Sequence, residues 1–128
     1  MNIHESAEDY LEMILMLRRR KGYVKSVDIA KELGVTKPSV SFAVKNLREN
    51  GYITMAENGE LSLTDKGKEI AEAVFEKHTL LCSFLRSLGI SEEVAHKDAC
   101  KIEHDISEES FSCIQRYMAE NNLPVEDI

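Results

Sequence analysis

Between positions 78 and 104 the chain carries His78, Cys82, His96, Cys100, Glu103 and His104, the imidazole, thiolate and carboxylate donors that bind first-row transition metals. Cys100, Glu103 and His104 are spaced i, i+3 and i+4. On a helix of about 3.6 residues per turn they share one face, with His96 one turn earlier and slightly rotated. His78 and Cys82 are likewise four residues apart, and near the N-terminus Asp9 and Glu12 form an i, i+3 carboxylate pair. Singly, each has an ordinary structural use: a lone histidine is usually structural, a spaced acid pair is usually solvated, and a cysteine is a small core residue. Three of the four histidines and two of the three cysteines fall on two neighbouring predicted helices, which favours a joint metal site over separate structural roles.

The elements that must position these donors follow from apolar spacing and punctuation. Ala7, Tyr10, Leu11, Ile14, Leu15 and Leu17 predict an amphipathic helix over residues 4–20, ending near Lys21 and Gly22. After a short extended link at Tyr23 and Val24, Ser26 is expected to cap a helix from Val27 to Leu33 that stops at Gly34. Thr36 caps the next, which opens on Lys37 and Pro38 and turns Val40, Ala43, Val44 and Leu47 inward until Asn50 and Gly51. Helix, tight turn, helix is the helix-turn-helix layout. Two alternating segments, Tyr52 to Met55 and Glu60 to Thr64, flank Glu57-Asn58-Gly59 and predict a two-stranded wing. Thr64 and Asp65 open a helix to about Leu88, Ser91 one to about Asp105, and Ser107 a last one to about Asn121, before Pro124.

The fold class is therefore mostly α: an N-terminal winged helix-turn-helix of three helices and a two-stranded wing over residues 1–66, followed by a helical metal-binding and dimerisation domain over residues 67–128. Val94, Ile102, Ile106, Phe111, Ile114, Tyr117 and Met118 on the last two helices are expected to supply the contact of a homodimer.

Composition narrows the function. The net charge of −7 argues at first against nucleic acid, but the charge is unevenly spread. Arg18 to Arg48 holds nine basic residues against two acidic ones, and Glu69 to the end holds five against thirteen. Phosphate attraction depends on a local potential screened over roughly 8 to 10 Å, so a positive module works inside an acidic chain. Lys37, Ser39, Ser41, Phe42 and Lys45 occupy the non-core face of the second helix of the helix-turn-helix, the one that enters the major groove of double-stranded DNA. Thr36, Pro38 and Lys25 complete the candidate DNA-binding set. Short serines permit close approach, Lys45 reaches a phosphate, and the edge of Phe42 can meet a thymine methyl. No apolar run approaches the roughly 18 residues needed to span a bilayer, and no secretory signal opens the chain, so a cytoplasmic protein without membrane contact is expected. In a reducing cytosol Cys82, Cys100 and Cys113 stay thiols.

Ala7-Glu8-Asp9-Tyr10-Leu11-Glu12, Gly34-Val35-Thr36-Lys37-Pro38-Ser39-Val40-Ser41, Leu63-Thr64-Asp65-Lys66-Gly67, His78-Thr79-Leu80-Leu81 and Ala99-Cys100-Lys101-Ile102-Glu103-His104 resemble the diphtheria toxin repressor and manganese transport regulator family of iron- or manganese-dependent repressors, over nearly the whole chain. The resemblance implies a repressor of metal-homeostasis genes that binds operator DNA as a dimer when metal-loaded. It implies Cys100, Glu103 and His104 as primary ligands, with Asp9, Glu12 and His78 in the metal set and His96 and Cys82 as ancillary ligands. Cys100 resembles the iron-type members, whereas Asp9 with Glu12 resembles the manganese-type. A thiolate tilts the site toward Fe(II), Zn(II) or Co(II), while the carboxylates keep Mn(II) in play. The alternatives are a metal-independent winged-helix regulator and a winged-helix protein-interaction module. A metal-dependent hydrolase is disfavoured, because no obvious general base remains once the ligands are assigned and no HExxH motif exists; no small-molecule substrate is expected.

Overall fold

The computed structural model describes residues 5–125, arranged as α1 (Glu5–Lys21), α2 (Ser26–Leu33), α3 (Lys37–Glu49), β1 (Ile53–Met55), β2 (Leu61–Leu63), α4 (Asp65–Ser87), α5 (Glu92–Asp105) and α6 (Glu108–Glu120). The chain forms two compact units, Met1–Glu72 and Ala73–Ile128.

The first unit is a winged helix-turn-helix. The apolar stripe of α1 puts Leu11, Ile14 and Leu17 in the core, where Val24, Ile29, Val40 and Leu61 are equally buried. Gly34 takes a left-handed conformation at φ 67° that closes α2, which a residue without Cβ does at no steric cost. Thr36 Oγ1 then accepts the Ser39 N–H at 3.2 Å and caps α3, with Pro38 in its first turn. The wing pairs Ile53 with Leu63 and Met55 with Leu61, antiparallel, across the expected turn at Glu57-Asn58-Gly59. The Tyr23-Val24 link is bonded to it, since Leu61 N–H donates to Val24 O at 2.8 Å. Arg18 Nη1 donates to Leu61 O at 2.9 Å, which fastens the end of α1 to the same strand.

One cap differs from expectation. Ser26 lies inside α2, and the first turn is closed instead by Asp28, whose carboxylate accepts the Lys25 backbone N–H at 2.8 Å and the Lys21 Nζ at 2.9 Å. An acid at the third helical position reaching back is one half of a capping box, and an ionised carboxylate accepts more strongly than a hydroxyl. The Lys21 ammonium and then the Lys25 N–H hold the Asp28 carboxyl below its usual range. Because its folded pKa is depressed, the stabilisation is present above the ordinary carboxylate pKa and is lost as pH falls through the folded one. Asp28→Ala should cost about 1 kcal/mol at pH 7, the ordinary worth of such a cap. In urea titrations that difference should shrink on acidification; an equal difference at pH 7 and pH 3 would contradict the account.

In the second unit Ser91 Oγ and Ser107 Oγ cap α5 and α6 by accepting the Val94 and Ser110 N–H groups at 3.4 and 3.1 Å. Two apolar clusters hold it together. Leu81, Cys82, Ala95 and Ala99 form one, and Leu80, Phe111 and Met118 the other. Phe111 and Met118 are thus buried inside their own unit, packed with Leu80, which corrects their expected place on a dimer surface. Val94 and Tyr117 from the same set are exposed, at 46% and 52%. No helix among the described residues is long and apolar enough to cross a membrane.

Candidate metal centre

The second unit gathers His78, His96, Cys100, Glu103 and His104 around the buried ring of His78. His78 is a mid-α4 residue 1% exposed, and Glu103 on α5 is 3% exposed. Burying an imidazole and a carboxylate is costly unless each meets the other, and they do: His78 Nδ1 lies 2.9 Å from Glu103 Oε2. An ionised carboxylate only accepts, so with Glu103 ionised His78 Nδ1 is the donor of this bond. Nε2 faces His96 Nδ1 at 3.0 Å, with the two rings edge-on at 83° and centroids 4.6 Å apart. Cys100 Sγ is 3.8 Å from His78 Nδ1, and Glu103 Oε1 is 3.5 Å from His104 Nε2.

His78, His96 and Cys100 each bring a ligand atom within 4.8 Å of the others. His96 is exposed as a whole, but loss of water around its ring, and next the neighbouring His78, push its pKa below the ordinary imidazole value, with Glu92 acting oppositely. A neutral ring with a free lone pair is the form that binds metal. Two imidazoles, a thiol and a carboxylate facing one small space thus fit a divalent first-row ion by the chemistry of their donors.

The remaining predicted residues fall as follows. Asp9 and Glu12 lie on α1 of the first unit, three residues apart, Asp9 half-buried and Glu12 buried. Cys82 packs among Leu81, Ala95 and Ala99 and belongs to none of the ligand groups found among the described residues. Although four residues from His78, it packs into this apolar cluster. Thr36, Lys37, Pro38, Ser39, Ser41 and Lys45 are exposed, Lys25 is half-buried, and Phe42 is 69% exposed on α3. A residue that sequence reasoning passed over is Arg48, which lines a cavity of about 700 Å³ beside the wing together with Lys45, Glu49, Ile53, Thr54 and Met55. It lies one turn past Lys45 on the same helix, a spacing that was available to find it.

Residues 2–61 match the family described as the iron dependent repressor N-terminal DNA binding domain, and residues 64–122 match the iron dependent repressor metal binding and dimerisation domain. The HTH-type transcriptional regulator MntR of Bacillus subtilis (strain 168) is 37% identical over 126 residues, 96% of this chain and 89% of that protein. The transcriptional regulator MntR of Escherichia coli O157:H7 is 36% identical over 113 residues, 88% of this chain and 73% of that one. Among solved structures, a manganese-dependent transcriptional repressor in complex with manganese superposes with a TM-score of 0.81 at 29% identity, over 94% of this chain. IdeR of T. acidophilum does so with a TM-score of 0.77 at 30% identity, over 99% of this chain. The chain spans 55% and 61% of those two crystallised chains. The domain matches and the near full-length relatives together establish that this chain belongs to the iron-dependent repressor family, which includes the manganese regulators.

Proposed function

We propose that the chain is a metal-dependent transcriptional repressor of metal-ion homeostasis genes, binding double-stranded operator DNA as a homodimer when loaded with a divalent transition metal. Fe(II) and Mn(II) are the leading candidates, with Zn(II) and Co(II) behind them. The observation that carries this reading is the convergence of nitrogen, sulfur and oxygen donors on a buried His78 in a chain that also holds a winged helix with an exposed recognition helix. The proposed ligands are His78 from α4 and Cys100, Glu103 and His104 from α5, with Asp9 and Glu12 on α1 as further candidate ligands. A bound ion would supply a fixed double positive charge that these donors share.

The residues of the chain do the reading. Ser39, Ser41 and Phe42 approach base edges, Lys37, Lys45 and Lys25 hold phosphates, and Thr36 with Pro38 fixes the start of the helix that presents them. Metal acts by binding the DNA-competent conformation better than its alternative, so it shifts the population toward that state. The reading is of a regulator rather than an enzyme, working in the cytoplasm.

Titrating a duplex from the chain's own upstream region should show affinity rising by about 5- to 150-fold between full chelation and metal saturation, the usual span of allosteric coupling. Binding should also fall steeply with salt, which a protein-interaction module would not show. Equal affinity with chelator and with excess metal would end the regulatory reading.

A further inference from the structure

The two strands of the wing have different neighbours: β1 lies against α3 and β2 against α1. On the β2 side, away from the recognition helix, the first unit carries a cationic cavity formed by the end of α1, β2 and the start of α4. We propose that this cavity binds a small free phosphate-class oxyanion, with Arg18, Arg19, Lys68 and Ser62 as its donors. The inference goes beyond the repressor reading and does not rest on it.

The cavity has a volume of about 380 Å³. That lies within the roughly 300 to 1,000 Å³ of small-molecule sites. Three cations line it against one carboxylate, Glu72, while Leu15 and Leu63 contribute apolar walls. Apolar walls reduce the screening of the charges beside them, so an ion of opposite sign is held more strongly there than in open water.

Arg18 is the fixed member of the set. It is half-buried, and Nη1 donates to Leu61 O at 2.9 Å and to Ser62 Oγ at 3.2 Å. Both bonds leave from one nitrogen of a planar fork with five N–H donors, so the fork keeps donors for an anion. Ser62 Oγ accepts from Arg18, which leaves its own hydroxyl proton to donate.

Arg19 and Lys68 mark where the anion sits. Arg19 Nη2 and Lys68 Nζ each lie 3.9 Å from the same atom, Glu72 Oε1. An oxygen placed between a guanidinium and an ammonium shows the position of an oxyanion, yet at this distance it is in hydrogen-bond contact with neither. Exposed pairs of this kind hold weakly, so Glu72 can turn aside as a stronger acceptor enters. A phosphate group is such an acceptor, because it takes the arginine fork bidentately and carries more charge than a carboxylate. With Glu72 displaced, three cations meet a multiply charged anion.

The test is a titration of the whole metal-stripped chain with sodium pyrophosphate at constant ionic strength, read by amide nuclear magnetic resonance. The Ser62, Leu63 and Lys68 signals should move and saturate, halfway at about 1 mM or below. Arg19→Gln and Lys68→Gln change exposed side chains and should each weaken binding about tenfold. Glu72→Gln removes the competing carboxylate and should tighten binding about threefold. The same spectra show that each variant is folded. Shifts that grow without saturating, or equal half-saturation in parent and variants, would overturn the proposal. So would a duplex of unrelated sequence that moves these signals at lower concentration than pyrophosphate and loses that effect in Lys68→Gln, since the cavity would then be a contact for DNA backbone.

Discussion

His78→Ala is expected to lower the affinity of the chain for divalent metal by about 100-fold or more, above the roughly 10- to 100-fold that loss of an outer-shell partner costs. The ring contributes to every part of the cluster: it holds Glu103 at 2.9 Å, faces His96 at 3.0 Å and lies 3.8 Å from Cys100. Removing it also takes from the buried Glu103 carboxylate its 2.9 Å partner, so the variant should lose about 3 kcal/mol of stability without metal. The two effects separate by calorimetric metal titration well below the variant's own melting point. A folded His78→Ala protein that binds metal as the parent does would remove His78 from the ligand set.

The second large effect lies far from any ligand. A methyl group added at Gly67 would overlap the carbonyl oxygen of Tyr52 and come within 3.0 Å of its carbonyl carbon. Backbone cannot swing aside as a side chain can. The Tyr52 carbonyl is itself engaged, accepting the Thr64 N–H at 3.0 Å, and Thr64 Oγ1 accepts the Gly67 N–H at 3.2 Å. Gly67→Ala should therefore destabilise the chain by about 3 kcal/mol or more, at the upper end of overpacking costs, although alanine is the better helix former by about 1 kcal/mol. Urea unfolding measures this, and a loss under about 0.5 kcal/mol would show that the start of α4 shifts freely. Gly67 belongs to the segment that carries the family resemblance, yet its reason is Tyr52, the residue just before β1 and fifteen positions earlier, which no local pattern reveals.

That contrast describes what could be read from the chain beforehand. Thr36, Ser91 and Ser107 each cap a helix by bonding three residues ahead, so the information is local and the expected starts agree with the observed ones. The wing was equally legible, because Asn58 and Gly59 form its turn and alternation sets the register. On α5 the 3.6-residue period alone put Cys100, Glu103 and His104 together. The direct approach of His78 to His96 depends on how α4 packs against α5, eighteen positions away. The same packing sends Cys82 into the apolar cluster, although its spacing from His78 equals that of a ligand pair. For Ser26 and Asp28 the competition was between two local acceptors, and the ionised one won.

The three thiols sit at graded depths: Cys82 buried, Cys100 half-buried and Cys113 exposed on α6. An alkylating reagent therefore meets them in that reverse order, and the reaction rate becomes a depth gauge built into the polypeptide. Cys113 labels first and gives an anchoring point for a dye on the outer face of the last helix. Cys82 stays silent until the protein opens. Between those two internal standards, the speed at which Cys100 is capped reports how tightly its sulfur is engaged, with no probe added to the molecule.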